Sequence, residues 1–341
     1  MADNPIFIIG TERSGTNLLR LILNAHSAIA VPHPPHILKN LFDLEPSYGD
    51  LKDDDRFREL IDDAVRVVEL HPYPWGFAID REAVFRDACR RDLLGVYLAI
   101  YDQYAAHAGK KRWACKSTHM IRHVALIRQA CPGAKFLYMV RDGRDVAVSA
   151  RETIFNRYSV YYAARLWKEE QDIGLYWLGK LSPDEIHRVR YEDLLRDPRG
   201  TVTGICRFLG VDFAPGMLEA HGSSEARKSA SLSDAWRNTD QPILEGNSGR
   251  FREALTPEEI SLYEAIASSE LDRCGYGLCR PAQESESLRA RGIPFRLRYW
   301  LEEVLRMLWV QWRYLFLDRS SLQRCKKFWF VQYLRLTRSW A

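Results

Sequence analysis

Two glycines, Gly10 and Gly15, lie in a segment whose chemistry suits a phosphate group. The segment follows a short apolar run and precedes residues with helical spacing. Its G-x-x-x-x-G spacing allows a tight turn, so backbone N–H groups converge on an anion at a helix N-terminus. A nucleotide triphosphatase would continue with Lys and then Ser or Thr, whereas this sequence continues with Thr16 and Asn17. The loop therefore predicts a phosphate site without a metal ion, in which Arg13 supplies positive charge.

A second pair of residues has the chemistry of an anion site. Arg141 follows another apolar run, and Ser149 lies about two helical turns further on. An arginine fork with a nearby hydroxyl suits a terminal phosphate. The alternative is that Arg141 belongs to a helix cap and that Ser149 is incidental. Two anion sites after neighbouring strands predict a nucleotide with phosphates at both ends.

Short apolar runs predict the strands that position these residues. Residues 5–10 and 135–140 are typical of buried parallel strands, residues 186–191 of a weaker one, and residues 113–116 of a short one. Helical spacing follows the runs, which predicts an α/β fold with a P-loop-like parallel sheet flanked by helices.

Ligands in such sheets bind at the carboxyl ends of the strands, where Arg13, Lys116, Arg141 and Tyr191 fall. Residues from about 40 to 112 look helical and lie between two strands. They predict a helical cap inserted over the site, with aromatic residues that suit an apolar or aromatic-lined cavity.

Charge divides the chain into two predicted parts, a domain over residues 1–280 and a tail over 288–341. The tail has twelve Arg or Lys, three acidic residues and five of the ten Trp, so it carries +9 although the whole chain carries +4. Its helical spacing of apolar and basic residues predicts an amphipathic helical tail. Such a tail suits an anionic membrane surface, or equally packing on the body or on a second subunit as a homodimer. No base-stacking module is recognisable, so no nucleic-acid partner is expected.

Composition sets broad limits on the class of protein. The 341 residues are 46% hydrophobic and 28% charged, which excludes an extended disordered chain. No apolar run is long enough to span a membrane, and the charged N-terminus does not match a signal peptide. Seven scattered cysteines argue against a disulfide framework, and no spacing resembles a zinc site. We therefore expect a cytoplasmic protein, peripheral at the membrane if the tail binds lipid.

Several motifs in order resemble those of sulfotransferases that use 3′-phosphoadenosine 5′-phosphosulfate (PAPS). Arg13-Ser14-Gly15-Thr16 resembles the family's 5′-phosphosulfate loop, and Arg141 to Ser149 resembles its 3′-phosphate motif. Residues 189–194, with Tyr191, resemble the family's next strand, and residues 238–241 and 249–251 resemble its late nucleotide-binding loop. Their order and spacing are closest to the tyrosylprotein sulfotransferase-like branch, over roughly residues 5 to 275.

The resemblance implies PAPS as the donor, no metal ion and roles for particular residues. It implies that the 5′-phosphate is bound by Arg13, Ser14, Gly15, Thr16 and Asn17. It implies that the 3′-phosphate is bound by Arg141, Ser149 and Arg250, and that Tyr191 contacts the adenosine. Lys116 matches the family lysine that neutralises the bridging oxygen. Asn238 stands where the branch has a serine that assists this lysine.

The sequence departs from the branch at the general base. The branch has a glutamate about twenty residues after the loop arginine, where this sequence reads Val-Pro-His-Pro-Pro-His. The glutamate register falls on Pro34, between His33 and His36. Other sulfotransferases use histidine, and neutral imidazole titrates near the working pH. We therefore expect one of these histidines to be the base, with His33 slightly preferred, although both also fit an ordinary Pro-rich turn.

These features predict a PAPS-dependent sulfotransferase that acts on a hydroxyl or amine. The acceptor stays open among small molecules, lipids, carbohydrates and peptides. One alternative is a small-molecule kinase using ATP, against which the missing P-loop lysine argues. Another is a non-catalytic protein that keeps a nucleotide cleft and acts as an adaptor through its basic tail.

Overall fold

A five-stranded sheet carries the fold in the computed structural model, which describes residues 4–152, 159–232, 239–243, 246–279, 293–316 and 321–338. The strands are β1 Ile6–Gly10, β2 Ile29–Ala30, β3 Arg112–Lys116, β4 Lys135–Val140 and β5 Ile186–Arg190. Their order is β2-β3-β1-β4-β5, and the pairs β2–β3 and β4–β5 are parallel. The predicted α/β fold with a parallel sheet is confirmed.

Helices make up most of the remaining structure. Before β4 they are α1 Thr16–Asn24, α2 Ile37–Leu41, α3 Asp54–Glu69, α4 Arg81–Asp87, α5 Leu93–His107 and α6 Val124–Ala130. After β4 they are α7 Gly143–Arg151, α8 Val160–Lys180, α9 Tyr191–Arg196, α10 Pro198–Leu209, α11 Ser224–Leu232, α12 Phe251–Ala254 and α13 Pro257–Arg273. The tail forms α14 Ile293–Phe316 and α15 Ser321–Arg338, as its helical spacing predicted.

The apolar runs form strands because both faces of the sheet are covered. Ile6 to Ile9 of β1 and Phe136 to Val140 of β4 have no solvent exposure. In β5 only Ile186 and Val189 are buried, which matches its weaker sequence signal and its place at the edge of the sheet. The two-residue strand β2 was not predicted, because so short a segment has no periodicity to detect.

Local side-chain bonds fix where the helices begin. The Asp142 carboxylate accepts from the Arg144 N–H and caps α7, and Asp53 does the same for α3 with two backbone N–H groups. Thr256 and Glu259 form a capping box at the start of α13. The stretch predicted as a helical cap is helical, with α3 to α5 between residues 54 and 107.

The chain divides into two compact units. The first unit comprises Met1–Phe7, Leu23–Lys135 and Arg319–Ala341, and the second comprises Ile8–Ile22 and Phe136–Asp318. The tail is therefore split, since α14 belongs to the second unit and α15 to the first. The proline-led stretch 281–287, which we predict as the boundary of the tail, lies outside the described residues.

None of the helices in the described ranges combines the length and the apolar character needed to cross a bilayer.

Candidate functional site

The loop after β1 has a backbone that most residues avoid. Arg13 has φ +70°, in the left-handed region, and Gly10 and Gly15 have φ +137° and +90°. A Cβ at Gly15 would overlap the Tyr191 ring, and one at Gly10 would overlap the Met139 carbonyl. The glycines are therefore needed both for the turn and for the close approach of β4 and α9. Strained backbone of this kind clusters at ligand sites.

The two anion elements predicted from the sequence meet within the second unit. The Arg13 Nε donates to the Ser149 Oγ at 3.2 Å, and the Arg141 Nη1 donates to the Arg13 carbonyl at 3.1 Å. Burial and the charge of Arg141 lower the pKa of Arg13 to about 10. The guanidinium groups of Arg13 and Arg141 thus repel each other, and a bound anion would offset this repulsion.

Tyr191 lies under this pair. The Arg141 guanidinium carbon is 4.3 Å from the centre of the Tyr191 ring, and the Tyr191 hydroxyl accepts from the Asn247 Nδ2 at 2.7 Å. The Arg141 Nη2 also donates to the Asn247 carbonyl, at 2.8 Å. Asn247 therefore links two predicted site residues, and no motif in the sequence indicated it.

Arg250 has an acidic partner. Its guanidinium bonds to the Glu152 carboxylate, which raises the pKa of Arg250, and its Nη1 is 3.5 Å from the Asn247 Oδ1. The segment that carries it is fastened to α7, because the buried Asp145 carboxylate accepts from the Gly249 and Phe251 N–H groups at 2.6 and 2.9 Å. Asp145 was also not predicted, although it lies inside the motif.

Three buried polar atoms around the loop have no hydrogen-bond partner within the described part of the chain. They are the Ser14 Oγ, the Asn17 Nδ2 and the Arg141 Nε. Leaving such groups unpaired costs about 1–3 kcal/mol each, so they point to a ligand. With two adjacent guanidinium groups, these donors fit the phosphates of PAPS.

The orientation of Asn17 is set by a buried arginine. The Arg20 Nε donates to the Asn17 Oδ1 at 2.8 Å, which leaves the Nδ2 as a donor with no partner among the residues that the structure describes. Arg20 has no solvent exposure and is itself held by Glu225 and Ser229 of α11, both at 2.9 Å. The three-residue spacing of Asn17 and Arg20 on α1 is the sequence signal that could have indicated this pair.

The first unit holds the predicted histidines and the lysine. The buried His33 ring stacks on Tyr73 at 4.5 Å, and its carbonyl accepts from the Trp75 Nε1 at 2.9 Å. His36 has φ +59°, in the left-handed region, and its Nδ1 is 3.2 Å from the Ser117 Oγ. Ser117 follows Lys116, the last residue of β3. His36 is thus the histidine that contacts the residue next to Lys116.

The environment of His36 keeps its ring neutral. Burial lowers the pKa of His36 well below its ordinary value, and the charges of Lys39, Lys327 and Lys116 add to this effect. His71, which the sequence did not indicate, has its ring 6.4 Å from that of His36, and burial lowers its pKa in the same direction. The predicted Asn238 lies outside the described residues.

Comparison with known proteins assigns the chain to a family. The profile of the sulfotransferase family matches residues 5–215. Protein-tyrosine sulfotransferase 1 of Danio rerio is 25% identical over 286 residues, which are 80% of this chain and 73% of that protein. An uncharacterised protein of Aquifex aeolicus is also 25% identical, over 79% of this chain but only 33% of its own length.

Solved structures share the fold. The sulfotransferase domain from the curacin biosynthetic pathway matches with a TM-score of 0.52 and 20% identity, over 81% of this chain and 98% of that domain. The sulfotransferase domain of the Synechococcus PCC 7002 olefin synthase matches with a TM-score of 0.50 and 22% identity, over 78% of this chain and 95% of that domain.

The chain belongs to the sulfotransferase family, since the family profile covers more than half of its length. This confirms the family predicted from the motifs, and with it a transferase that moves a sulfuryl group from PAPS. The similarity to protein-tyrosine sulfotransferases agrees with the predicted branch.

Proposed function

We propose that this protein transfers the sulfuryl group of PAPS to a hydroxyl on an apolar or aromatic acceptor. The single observation that carries the donor half is the meeting of Arg13, Ser149 and Arg141. Three buried donor atoms lie there, the Ser14 Oγ, the Asn17 Nδ2 and the Arg141 Nε, and none has a hydrogen-bond partner among the described residues. In this proposal Ser14, Thr16 and Asn17 bind the 5′-phosphate, and Arg141 and Ser149 bind the 3′-phosphate. Arg250 adds charge at the rim while it is paired to Glu152.

The acceptor half of the proposal rests on the first unit. We assign the general base to His36 rather than His33, because its Nδ1 is engaged by Ser117 and its Nε2 is then the atom that receives the hydroxyl proton. Lys116 offsets the negative charge on the departing phosphate. Asn238 keeps the assisting role that the family resemblance implies. PAPS, when bound, supplies the sulfuryl group.

The aromatic character of the acceptor follows from side chains beside the histidine loop. Trp75 donates to the His33 carbonyl and packs against Tyr104 with ring centres 4.8 Å apart. Phe77 stacks on His107 at 4.4 Å, and both Trp75 and Phe77 are only partly buried. A partly exposed aromatic cluster suits a phenol or another flat apolar molecule more than a sugar.

A transfer assay tests this function. The protein is incubated with ³⁵S-labelled PAPS and a phenol, a primary alcohol, an amine, a tyrosyl peptide and a sugar, and mass spectrometry detects added sulfate. We expect transfer to the phenol first, lost in His36→Asn and retained in His33→Asn. If none of these acceptor classes gains sulfate, the assignment of this activity is overturned.

Donor binding is tested separately by thermal unfolding. 3′-Phosphoadenosine 5′-phosphate should raise the Tm of the wild type, and Arg141→Ala should abolish that rise. AMP serves as the control nucleotide without a 3′-phosphate. Equal stabilisation by AMP, or by ATP with Mg²⁺, would contradict the donor site.

We also propose a cytoplasmic location with peripheral binding to anionic membranes through the tail. Trp300, Trp309 and Trp312 of α14 are at least half exposed, and basic residues interleave with them. Phe328, Trp329 and Tyr333 are exposed on α15, and so are the basic residues Lys326 and Arg335 of the same helix. Such faces suit the headgroup region of a bilayer. The seven free thiols support a reducing compartment.

Vesicle sedimentation tests the membrane proposal. We expect binding to phosphatidylserine-containing vesicles that weakens as salt rises, and little binding to pure phosphatidylcholine. The double variant Trp309→Ser/Trp312→Ser should no longer sediment with the phosphatidylserine-containing vesicles. Light scattering on the same protein preparations tests the alternative, which is that the tail forms a homodimer. A concentration-dependent dimer with no vesicle binding would overturn the membrane proposal.

A further inference from the structure

The inner face of α15 contacts the loop that carries the histidines. The Lys327 Nζ donates to the carbonyl of Pro35, the residue before His36. One turn earlier, the Arg324 Nη2 donates to the Tyr73 hydroxyl at 3.0 Å. Both contacts lie within the first unit, and both basic residues come from a helix that the sequence marked only as a membrane or packing surface.

These contacts reach both candidate bases. Tyr73 stacks on the His33 ring, and its backbone N–H donates to the His71 Nδ1 at 3.2 Å. His36 adopts a left-handed backbone that a non-glycine residue keeps only when its surroundings impose it. The Asn40 side chain bonds to the His36 carbonyl at 2.8 Å, and Lys327 bonds to the carbonyl just before it. The conformation of His36 is therefore held from both sides.

Lys327 also acts on His36 through charge. Burial lowers the pKa of Lys327 to about 7, with contributions from Arg324 and Lys39. The charged groups that act on His36 are Lys39 of α2, Lys116 of β3, His71 and Lys327 itself. Since His36 titrates well below its ordinary value, Lys327 is protonated in the range where His36 would gain its proton. Lys327 thus opposes protonation of His36.

We propose that Lys327 is a positioning residue for transfer, which fixes the His36 loop from α15 and keeps the His36 ring in its neutral form. Arg324 likewise positions Tyr73, and the Tyr73 ring in turn positions the His33 ring that stacks on it. The tail therefore supplies part of the catalytic centre in addition to any surface role. This inference rests on the proposed function of His36 as the base.

Separate contacts fasten α15, so Lys327 can be changed without releasing the helix. Val331 and Leu334 are buried, with exposures of 5% and 3%. Arg338 pairs with Glu59 at 2.6 Å and Asp63 at 2.9 Å. We therefore expect Lys327→Met to fold with α15 in place.

The experiment compares Lys327→Met with Lys326→Met, its exposed neighbour on the same helix. Histidine-ring NMR measures the titration of His36, assigned with His36→Asn, without any acceptor. Lys327→Met should move this titration to higher pH by about half a unit or more, because a nearby positive charge is lost. Lys326→Met should leave it unchanged.

Kinetics provide the second readout. In Lys327→Met we expect kcat to fall about tenfold and its acid limb to move to higher pH, with the donor KM unchanged within about twofold. Lys327→Arg keeps a cationic donor and should retain most of the activity. A purely structural role would alter stability without moving the acid limb.

Two results would overturn the inference. One is a His36 titration that is the same in Lys327→Met and Lys326→Met, and the other is an equal loss of kcat in both variants. Failure of the proposed function looks different, because the wild type would then transfer no sulfuryl group, whereas the NMR comparison would still report on Lys327 and His36.

Discussion

At the scale of single residues, the Asn17 amide has one atom bonded and the other without a partner in the described part of the chain. Its Oδ1 accepts from Arg20, so in the proposed site the Nδ2 is the atom that a ligand would meet. The resemblance to sulfotransferases implies a second threonine at this position, whose hydroxyl rotates freely and needs no such orientation. The buried Arg20 thus orients Asn17 so that, in the proposed site, its amide N–H can donate where a threonine hydroxyl would.

Asn17→Asp tests this orientation with almost no change of shape. The Arg20 contact is retained as an ion pair, while the donor is replaced by a carboxylate oxygen that repels a phosphate. We expect the Tm of the free protein to stay close to the wild-type value, and the Kd for 3′-phosphoadenosine 5′-phosphate, by calorimetry, to rise at least about 30-fold.

The control for this test is Asn17→Thr, which restores a donor of the family type. It should bind the nucleotide within a few-fold of the wild type. Unimpaired binding by Asn17→Asp would show that the amide does not face the donor phosphates.

The sequence could predict which residues at the donor site carry charge, but not which of them have protein partners. Arg13, Arg141 and Ser149 follow from motif spacing, and they do meet in the second unit. The Glu152 partner of Arg250 and the Asn247 link depend on how a distant segment folds onto α7. No local pattern encodes such contacts.

At the scale of elements, the loop after β1 and the start of α9 are matched to each other. Gly15 leaves space for the Tyr191 ring, and Tyr191 in turn supports the Arg141 guanidinium. The Tyr191 ring at the start of α9 therefore packs directly against the backbone of Gly15, and a side chain at position 15 would prevent this contact.

Gly15→Ala should break this match. A methyl group there meets the Tyr191 ring and also strains a residue with φ +90°. We expect the free energy of unfolding, measured in urea, to fall by about 3 kcal/mol or more. Nucleotide binding should be lost in the same variant.

Gly109→Ala is the matched control, because Gly109 has φ +65° but no atom within 4 Å of the added methyl. It should cost only about 1 kcal/mol, from backbone strain alone. Equal losses in the two variants would mean that contact with Tyr191 contributes nothing.

Elements were predictable where an apolar run was long and fully buried. β1 and β4 met that condition, and their bounds were predicted almost to the residue. β2 did not, yet it starts the segment that leads to the histidine loop. The helices of the tail were also predictable, whereas the inward contacts of α15 were not, because an amphipathic pattern does not say what its polar residues touch.

At the scale of the whole molecule, histidines with lowered pKa values make stability depend on pH. They are His36, His71, His119, His123 and His187, of which His36 and His71 are held neutral by burial together with nearby positive charge. The pKa values of His36 and His71 in the folded protein are well below 6.5, and in the unfolded chain they are close to that value. The unfolded chain therefore binds more protons as the pH falls through this range. Their contribution to stability is fully present above about pH 7 and is lost on acidification.

We expect the free energy of unfolding to fall between pH 7 and pH 5, by up to about 1.4 kcal/mol per pH unit for each of the two histidines. His36→Gln/His71→Gln should make this dependence less steep in urea titrations at a series of pH values, while His119, His123 and His187 keep their part of it. A double variant whose stability falls as steeply as that of the wild type would contradict the assignment.

The crowding of Arg13 against Arg141 also has a consequence for turnover. Both phosphates remain on the nucleotide after the sulfuryl group has left, so in the proposed donor site the spent nucleotide would offset the repulsion between Arg13 and Arg141 as well as the fresh one does. Its departure should then be the slow step of each cycle, and the protein should come off a purification column with adenine absorbance at 260 nm.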